Sequence, residues 1–187
     1  MCPFSYWVIM VQLSKDRHRR RDRQPEGQKM KVRDYLVKLE DNLMVGGGRW
    51  VADFSESFWE YPLGDLVFDM FITATVRPKG LFLSRVAAWL TTPNYYVACF
   101  AYSKDPELKR LHEVLTTISK FLKEERFAWA WLVIPHEGSF SRKASAMVEH
   151  NDSKEIGIAL VDLSSQKVVN ARSYWGGRMT RFITCFK

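Results

Sequence analysis

A change in the spacing of the apolar residues near position 105 constrains the fold of this chain more than any other feature. Before that position, segments rich in β-branched and aromatic residues follow one another with short turns between them. After it, leucine and isoleucine recur at spacings of three and four, and a continuous apolar run at 127–134 follows. A strand that follows a helix in this way pairs in parallel with the strand before the helix. The order of elements therefore predicts an α/β fold.

The first half of the chain predicts one helix and then an antiparallel meander. Residues 31–44 carry valine and leucine at spacings of four and three, typical of an amphipathic helix, and the glycines at 46–48 end it. The segments 50–58, 66–76, 81–90 and 95–102 are separated by short turns and predict a meander of about three strands. The alanines of 81–90 are equally compatible with a helix.

The second half of the chain predicts parallel pairing. Asp105 and Pro106 are residue types preferred at a helix start, so a helix of about 19 residues is expected to begin there. The run 127–134, a short helix at 141–150 and a strand at 156–163 complete the pattern, and residues after 168 add edge strands or a closing helix. The predicted fold is α/β, a mixed sheet with an early meander, a C-terminal parallel β-α-β-α-β portion and helices packed on the sheet.

Positive charge is concentrated near the N-terminus. Residues 15–33 hold nine basic and three acidic residues, a net charge of +6, whereas the whole chain carries +7. Residues 1–30 are therefore expected to form a flexible basic arm, and residues 31–187 a single domain. Such an arm can neutralise the phosphates of a nucleic acid. The arginines of the arm assigned to this contact are Arg17, Arg19, Arg20, Arg21 and Arg23.

Two further observations concern the surroundings of the chain. The apolar stretch 4–13 has about half of the roughly 20 residues that span a bilayer, and its basic cluster follows it, so neither a membrane partner nor a secretory signal is expected. The three cysteines lie far apart, which argues against a disulfide framework and suits a cytoplasmic location. If the chain naturally begins at Met30, most of the charge argument is lost.

The strand-helix-strand arrangement over 95–134 and the late strand KEIGIALVD at 154–162 point to a known fold. In these passages, and in the order of elements over 31–163, the chain resembles the restriction-endonuclease-like fold of the PD-(D/E)xK nuclease superfamily. The resemblance implies cleavage of nucleic acid by an acidic cluster that binds magnesium, with a lysine that polarises the attacking water. It implies Glu40, Asp69 and Lys104 as the catalytic residues and Asp69 as the metal ligand.

The defining acid-x-Lys pattern of that superfamily is missing from the strands that should carry it. The segments 81–90 and 95–102 contain neither aspartate nor glutamate. Glu107-Leu108-Lys109 matches the pattern within the predicted helix, where residues two apart face different directions. The sequence therefore predicts the scaffold of a nuclease without intact catalytic residues.

The carboxyl ends of the predicted parallel strands form the usual ligand crevice of an open α/β sheet. His136 and Glu137 follow a buried strand, and an imidazole can transfer protons near neutral pH. The alternative, which we favour, is a polar loop with a capping acid. The other residues at these strand ends are Ser103, Lys104, Asp105 and Asp162.

Near the C-terminus, the segment Tyr174-Trp175-Gly176-Gly177-Arg178 combines two aromatic residues, two glycines and an arginine. We interpret it as a flexible turn that presents Arg178 and Arg181 to a nucleic acid or a protein partner. A hairpin turn is the simpler structural account.

Three functions follow from these observations, and the sequence does not decide whether the chain is an enzyme. The first is a nucleic-acid-associated protein of nuclease-like fold that requires no cofactor. The second is a protein-interaction or regulatory subunit, with a protein partner or a second copy of itself, because the body is nearly neutral and rich in aromatic residues. The third is a metal-dependent nuclease with an atypical acidic site, which would use Mg²⁺.

Overall fold

A mixed sheet of six strands, with helices on both faces, organises the residues that the computed structural model describes, which are 30–76 and 95–186. The strands are β1 (Asp53–Leu63), β2 (Leu66–Val76), β3 (Tyr95–Ala101), β4 (Phe127–His136), β5 (Ile156–Asp162) and β6 (Lys167–Asn170). The helices are α1 (Val32–Met44), α2 (Leu111–Glu124), α3 (Arg142–Glu149) and α4 (Tyr174–Ile183), and a short 3₁₀ turn (Gly47–Trp50) precedes β1.

Every strand of the sheet lies beside the strand that follows it in the chain. The first three pair in antiparallel fashion, β3, β4 and β5 pair in parallel, and β6 returns antiparallel to β5. This arrangement confirms the predicted α/β class, the early meander and the parallel β-α-β-α-β portion. The predicted strand at 81–90 lies outside the described residues.

The sheet separates two apolar cores. The helices α2 and α3, which connect the parallel strands, both pack on one face, while α1 and α4 cover the other. The central strand β4 contributes to both cores because it is buried on both sides. Its Trp131 is fully buried and packs against the rings of Phe54 and Phe182, with ring centroids 6.2 Å and 5.9 Å away. Trp131 thereby joins the first strand to the last helix across this face.

The β1–β2 hairpin is longer than the sequence predicted. Its two-residue turn is Gly64-Asp65, and Gly64 has a φ of +59°, a conformation that glycine adopts without steric cost. The strand β1 runs through Pro62, which is tolerated because β1 is an edge strand. A glycine followed by aspartate between two apolar segments was the sequence signal for this turn.

The prediction that the long helix begins at Asp105-Pro106 was wrong. The helix α2 begins at Leu111, because the residues before it form turns in which the carboxylate of Asp105 accepts the amide of Arg110 at 2.5 Å. Leu108 has a φ of +58°, which interrupts any helical path through it. The acid-x-Lys match at Glu107 and Lys109 therefore lies in a turn rather than in a helix, and the two side chains form an exposed ion pair at 2.5 Å.

The interpretation of the segment 174–178 as a turn was also wrong, since these residues begin the helix α4. The hydroxyl of Ser173 accepts the amide of Gly176 at 3.2 Å and caps the helix. A Cβ at Gly157 would lie 2.6 Å from the backbone of Trp175, so glycine there lets α4 pack directly on β5. Gly176 is buried in the same contact. Tertiary packing therefore overrides the low helix propensity of two consecutive glycines.

The structure also shows the burial of one cysteine and the length of the helices, in the residues that it describes. Cys99 is fully buried in β3, and burial raises the pKa of its thiol to about 12. Within residues 30–76 and 95–186, none of the helices is both long and apolar enough to cross a membrane.

We predict opposite effects for Gly157→Ala and Gly177→Ala. The first adds a methyl group against the backbone of α4 and should lower the free energy of unfolding by about 1–3 kcal/mol. The second adds a methyl group that meets no atom within 4 Å on a helical surface, so it should raise that free energy by about 0.5–1 kcal/mol. Urea unfolding of both variants checks this, and a loss of stability in both would contradict the packing described here.

Candidate functional site at the carboxyl edge of the sheet

The three parallel strands bring their carboxyl ends to one edge of the sheet, as the sequence predicted. Ser103 follows β3, His136 ends β4, and Asp162 ends β5 directly opposite His136. The adjacent strand β2 contributes Asp69 to the same edge, because its neighbour Met70 pairs with the last residue of β3. This edge is therefore the place to test the predicted catalytic residues.

Asp69 and Lys104 both lie at this edge. An oxygen of the Asp69 carboxylate accepts the amide of Ser103 at 2.5 Å, and Lys104 is the next residue, with an exposed side chain. Glu40 lies on α1, and the first residue of that helix, Val32, is hydrogen-bonded to Glu137 at this edge. Glu40 is eight residues further along α1, which corresponds to about 12 Å along the helix axis. No hydrogen bond or ion pair within the described ranges joins Glu40 to Asp69 or Lys104. The structure thus places two of the three predicted catalytic residues at the same edge of the sheet.

Glu137 has a structural partner far away in the sequence. Its carboxylate accepts the amide of Val32, the first residue of α1, at 3.2 Å. A carboxylate at a helix N-terminus satisfies an amide that has no partner within the helix and interacts favourably with the helix dipole. Glu137 is therefore the capping acid of the interpretation that we favoured, although the helix that it caps could not be identified from the sequence.

Asp162 holds the turn between β5 and β6. Its carboxylate accepts four hydrogen bonds, from the amides and the hydroxyls of Ser164 and Ser165, at 2.6–2.9 Å. Burial disfavours its charged form, but these four donors outweigh burial and lower the pKa of Asp162 well below its ordinary value. The side chain is only 8% exposed, so its donors leave little access for another ligand.

His136 is half-buried at the end of β4, and its ring packs against Phe140 with 5.5 Å between the ring centroids. Its ring shows no hydrogen bond to a carboxylate anywhere in residues 30–76 and 95–186. The same ranges contain no group of three or more histidine, cysteine, aspartate or glutamate side chains arranged to hold a metal ion. At this edge, the described carboxylates serve backbone amides.

The predicted nucleic-acid contacts lie in two places. The five arginines assigned in the arm, from Arg17 to Arg23, lie outside the described residues. Arg178 and Arg181 are exposed on α4, where Arg178 donates a hydrogen bond to the hydroxyl of Tyr174 and the guanidinium of Arg181 lies 5.8 Å from the ring centroid of Phe182. The spacing of buried Met179, Phe182 and Ile183 was the sequence signal that these arginines belong to a helix.

Comparisons of this chain with protein-family models, with curated proteins and with solved structures gave no match. The assignment of a function therefore rests on the residues and on their arrangement.

We predict that Asp69→Ala lowers the free energy of unfolding by about 1–2 kcal/mol, because the amide of Ser103 loses its acceptor. Asp69→Asn is the matched control, since its amide oxygen can still accept that hydrogen bond, and it should cost less. Thermal unfolding with and without Mg²⁺ or Mn²⁺ checks the role. A rise in Tm with either metal that Asp69→Ala abolishes would show a metal ligand instead.

We predict that the contribution of Asp162 to stability decreases in acid. A carboxyl group whose pKa is lower in the folded state than in the unfolded state stabilises the fold above its unfolded pKa, about 3.9, and loses that contribution as the pH falls further. Asp162→Asn should therefore lower the free energy of unfolding at pH 7 by about 1–3 kcal/mol. Urea unfolding at pH 7, 5 and 3.5 should show this difference shrinking only at the lowest pH. A difference that is independent of pH would contradict the role of the charge.

Proposed function

We propose that this chain is a nucleic-acid-associated protein with a nuclease-like scaffold and without an intact metal-dependent catalytic site. The observation that carries the proposal is the pair Arg178 and Arg181 on α4. Both are exposed, they are three residues apart on the helix, and neither pairs with a carboxylate in the part of the chain that the structure describes. The basic arm adds a net charge of +6 over residues 15–33.

Arg110 is an exposed arginine whose charge is compensated, in contrast to this pair. The guanidinium of Arg110 donates two hydrogen bonds to the carboxylate of Glu113, at 2.6 and 2.7 Å, so its charge is already compensated. Arg178 and Arg181 have no carboxylate partner within residues 30–76 and 95–186, and a guanidinium recognises phosphate through two parallel N–H donors. Two neighbouring arginines on a helix, without a carboxylate partner in the described part of the chain, therefore fit the phosphate backbone of a nucleic acid.

Two further observations support the rest of the proposal. The order of helix, antiparallel meander, helix and parallel strand is the order on which the resemblance to the restriction-endonuclease-like fold rests. The use of Asp69, Glu137 and Asp162 as acceptors for backbone amides supports the absence of a metal-dependent catalytic site.

We predict salt-dependent binding of nucleic acid by the full chain. Fluorescence anisotropy with labelled DNA and RNA oligonucleotides, at several salt concentrations, gives the slope of log K against log salt. Replacing the five arm arginines by glutamine should weaken binding and reduce that slope by about 0.7–0.9 for each phosphate that the variant no longer neutralises. Arg178→Gln with Arg181→Gln should act in the same direction, whereas Arg110→Gln, the matched control, should have little effect.

The proposal fails if the full chain binds neither DNA nor RNA at low salt, or if binding is indifferent to salt and to every one of these variants. Incubation with DNA or RNA and Mg²⁺ or Mn²⁺ tests catalysis separately. Cleavage that Asp69→Ala abolishes would contradict the absence of a catalytic site and favour the atypical nuclease.

A second candidate function is a protein-interaction subunit, and one observation favours it. The edge strand β1 exposes Phe58 by 44% and Trp59 by 36%. Aromatic residues are enriched at protein interfaces. Light scattering at several concentrations tests self-association through this strand, and a protein that stays monomeric, in both its native form and the variant Trp59→Ser, would remove the version with a second copy.

A further inference from the structure

The outward face of α4 consists of Tyr174, Gly177, Arg178 and Arg181. Their spacing of three, four and seven residues places them on the same side of the helix. All four are exposed, whereas Gly176, Met179, Phe182 and Ile183 on the other side are buried against the sheet. The helix thus presents an aromatic ring, a glycine and two guanidinium groups together to the surroundings.

Gly177 has no structural reason to be glycine. A Cβ at this position would meet no atom within 4 Å, and the residue is not in the left-handed region. In contrast, a Cβ at Gly176 would lie 2.3 Å from the carbonyl oxygen of Ala171. Glycine weakens a helix relative to alanine, so an exposed helical glycine carries a cost that the fold does not require. It leaves bare backbone, which another molecule can approach closely.

Tyr174 is exposed by 64% and yet is held in place on two sides. The guanidinium of Arg178 hydrogen-bonds to its hydroxyl and lies 5.3 Å from its ring centroid. Its ring also meets Trp175 edge-on at 4.8 Å, and Trp175 stacks on Trp129 at 4.1 Å with 19° between the planes. A ring that is already ordered loses little conformational entropy when a ligand stacks on it.

We propose, resting on the proposed function, that the outward face of α4 binds single-stranded nucleic acid. An unpaired base stacks on Tyr174, the sugar-phosphate backbone passes over Gly177, and the phosphates meet Arg178 and Arg181. A single strand is the form that fits, since the bases of a duplex stack on one another and cannot stack on a side chain without being extruded. The Cα atoms of Arg178 and Arg181 are about 4.5 Å apart in rise along the helix, so the two side chains can reach phosphates of one strand.

The test measures the affinity of the full chain for labelled single-stranded DNA, single-stranded RNA of the same sequence, and the corresponding duplex. Tyr174→Ala should weaken single-strand binding about tenfold, as expected for the loss of one stacked base, and leave duplex binding unchanged. Arg178→Gln should reduce the salt dependence of single-strand binding. Arg110→Gln serves as the control for the loss of one exposed positive charge.

Gly177→Ala is the sharpest variant, because its effects on folding and on binding should be opposite. Its Tm should be equal to or higher than that of the native chain, while its affinity for the single strands should fall at least threefold. A merely structural glycine would lower both, and a glycine without any role would leave the affinity unchanged. Either of those results overturns the proposed approach of the backbone to Gly177.

The outcomes separate this inference from the function on which it rests. If the full chain binds oligonucleotides but Tyr174→Ala and Gly177→Ala leave single-strand affinity unchanged, the face is not the site, although nucleic-acid association stands. If both variants weaken duplex and single-strand binding equally, stacking is overturned. If the native chain binds neither form at low salt, the function and the site fail together. Equal affinity for DNA and RNA supports recognition by stacking and phosphate contacts, and a preference for RNA supports an additional contact to the 2′-hydroxyl.

Discussion

The two crossover connections between the parallel strands determine how the rest of the molecule is arranged. Because β3, β4 and β5 lie side by side in chain order, crossovers of the same hand put α2 and α3 on the same face of the sheet. The strand β4 is apolar on both sides, so its second side also needs cover. The two ends of the domain supply that cover, with α1 from the beginning and α4 from the end.

The contact between α1 and α4 follows from this shared task. The hydroxyl of Tyr35 donates to the carbonyl oxygen of Ile183 at 2.8 Å, and the side chain of Asn42 donates to that of Phe182 at 2.6 Å. These donors satisfy carbonyl groups at the end of α4 that have no partner within the helix.

On the same face of the sheet, the indole N–H of Trp131 is buried without an acceptor among the described residues. Apolar packing around Trp131 therefore outweighs the desolvation of its N–H group.

The fold could be predicted from the sequence where local pattern and tertiary structure agree. The predicted segment 141–150 coincides with the helix α3 and its two caps, Ser141 and His150. Its start could be predicted because serine is a preferred N-cap residue. The start of α2 could not be predicted, since the carboxylate of Asp105 holds a turn instead of capping the helix. The pair of glycines at 176–177 was also misleading, because what places them in a helix is the close approach to Gly157 on another strand.

At the candidate site, the sequence likewise indicated the type of residue but not its hydrogen-bond partner. The sequence indicated a capping acid after β4, but the amide that Glu137 accepts belongs to a residue 105 positions away. It indicated acids at the strand ends, but not that each is already bound to backbone amides.

The carboxylates that are bound to backbone amides at the strand ends influence where a polyanion can bind. Ligands of open α/β sheets usually bind at the carboxyl ends of the strands. In this chain, four donors hold Asp162 in its charged form there, so this strand end carries a fixed negative charge, while Asp69 and the exposed Lys104 lie at the same edge. Arg178 and Arg181 lie elsewhere, on a helix whose first turn packs against Gly157 near the beginning of β5. The proposed contact with nucleic acid is thus displaced from the usual crevice to the opposite end of the strands, where α4 begins.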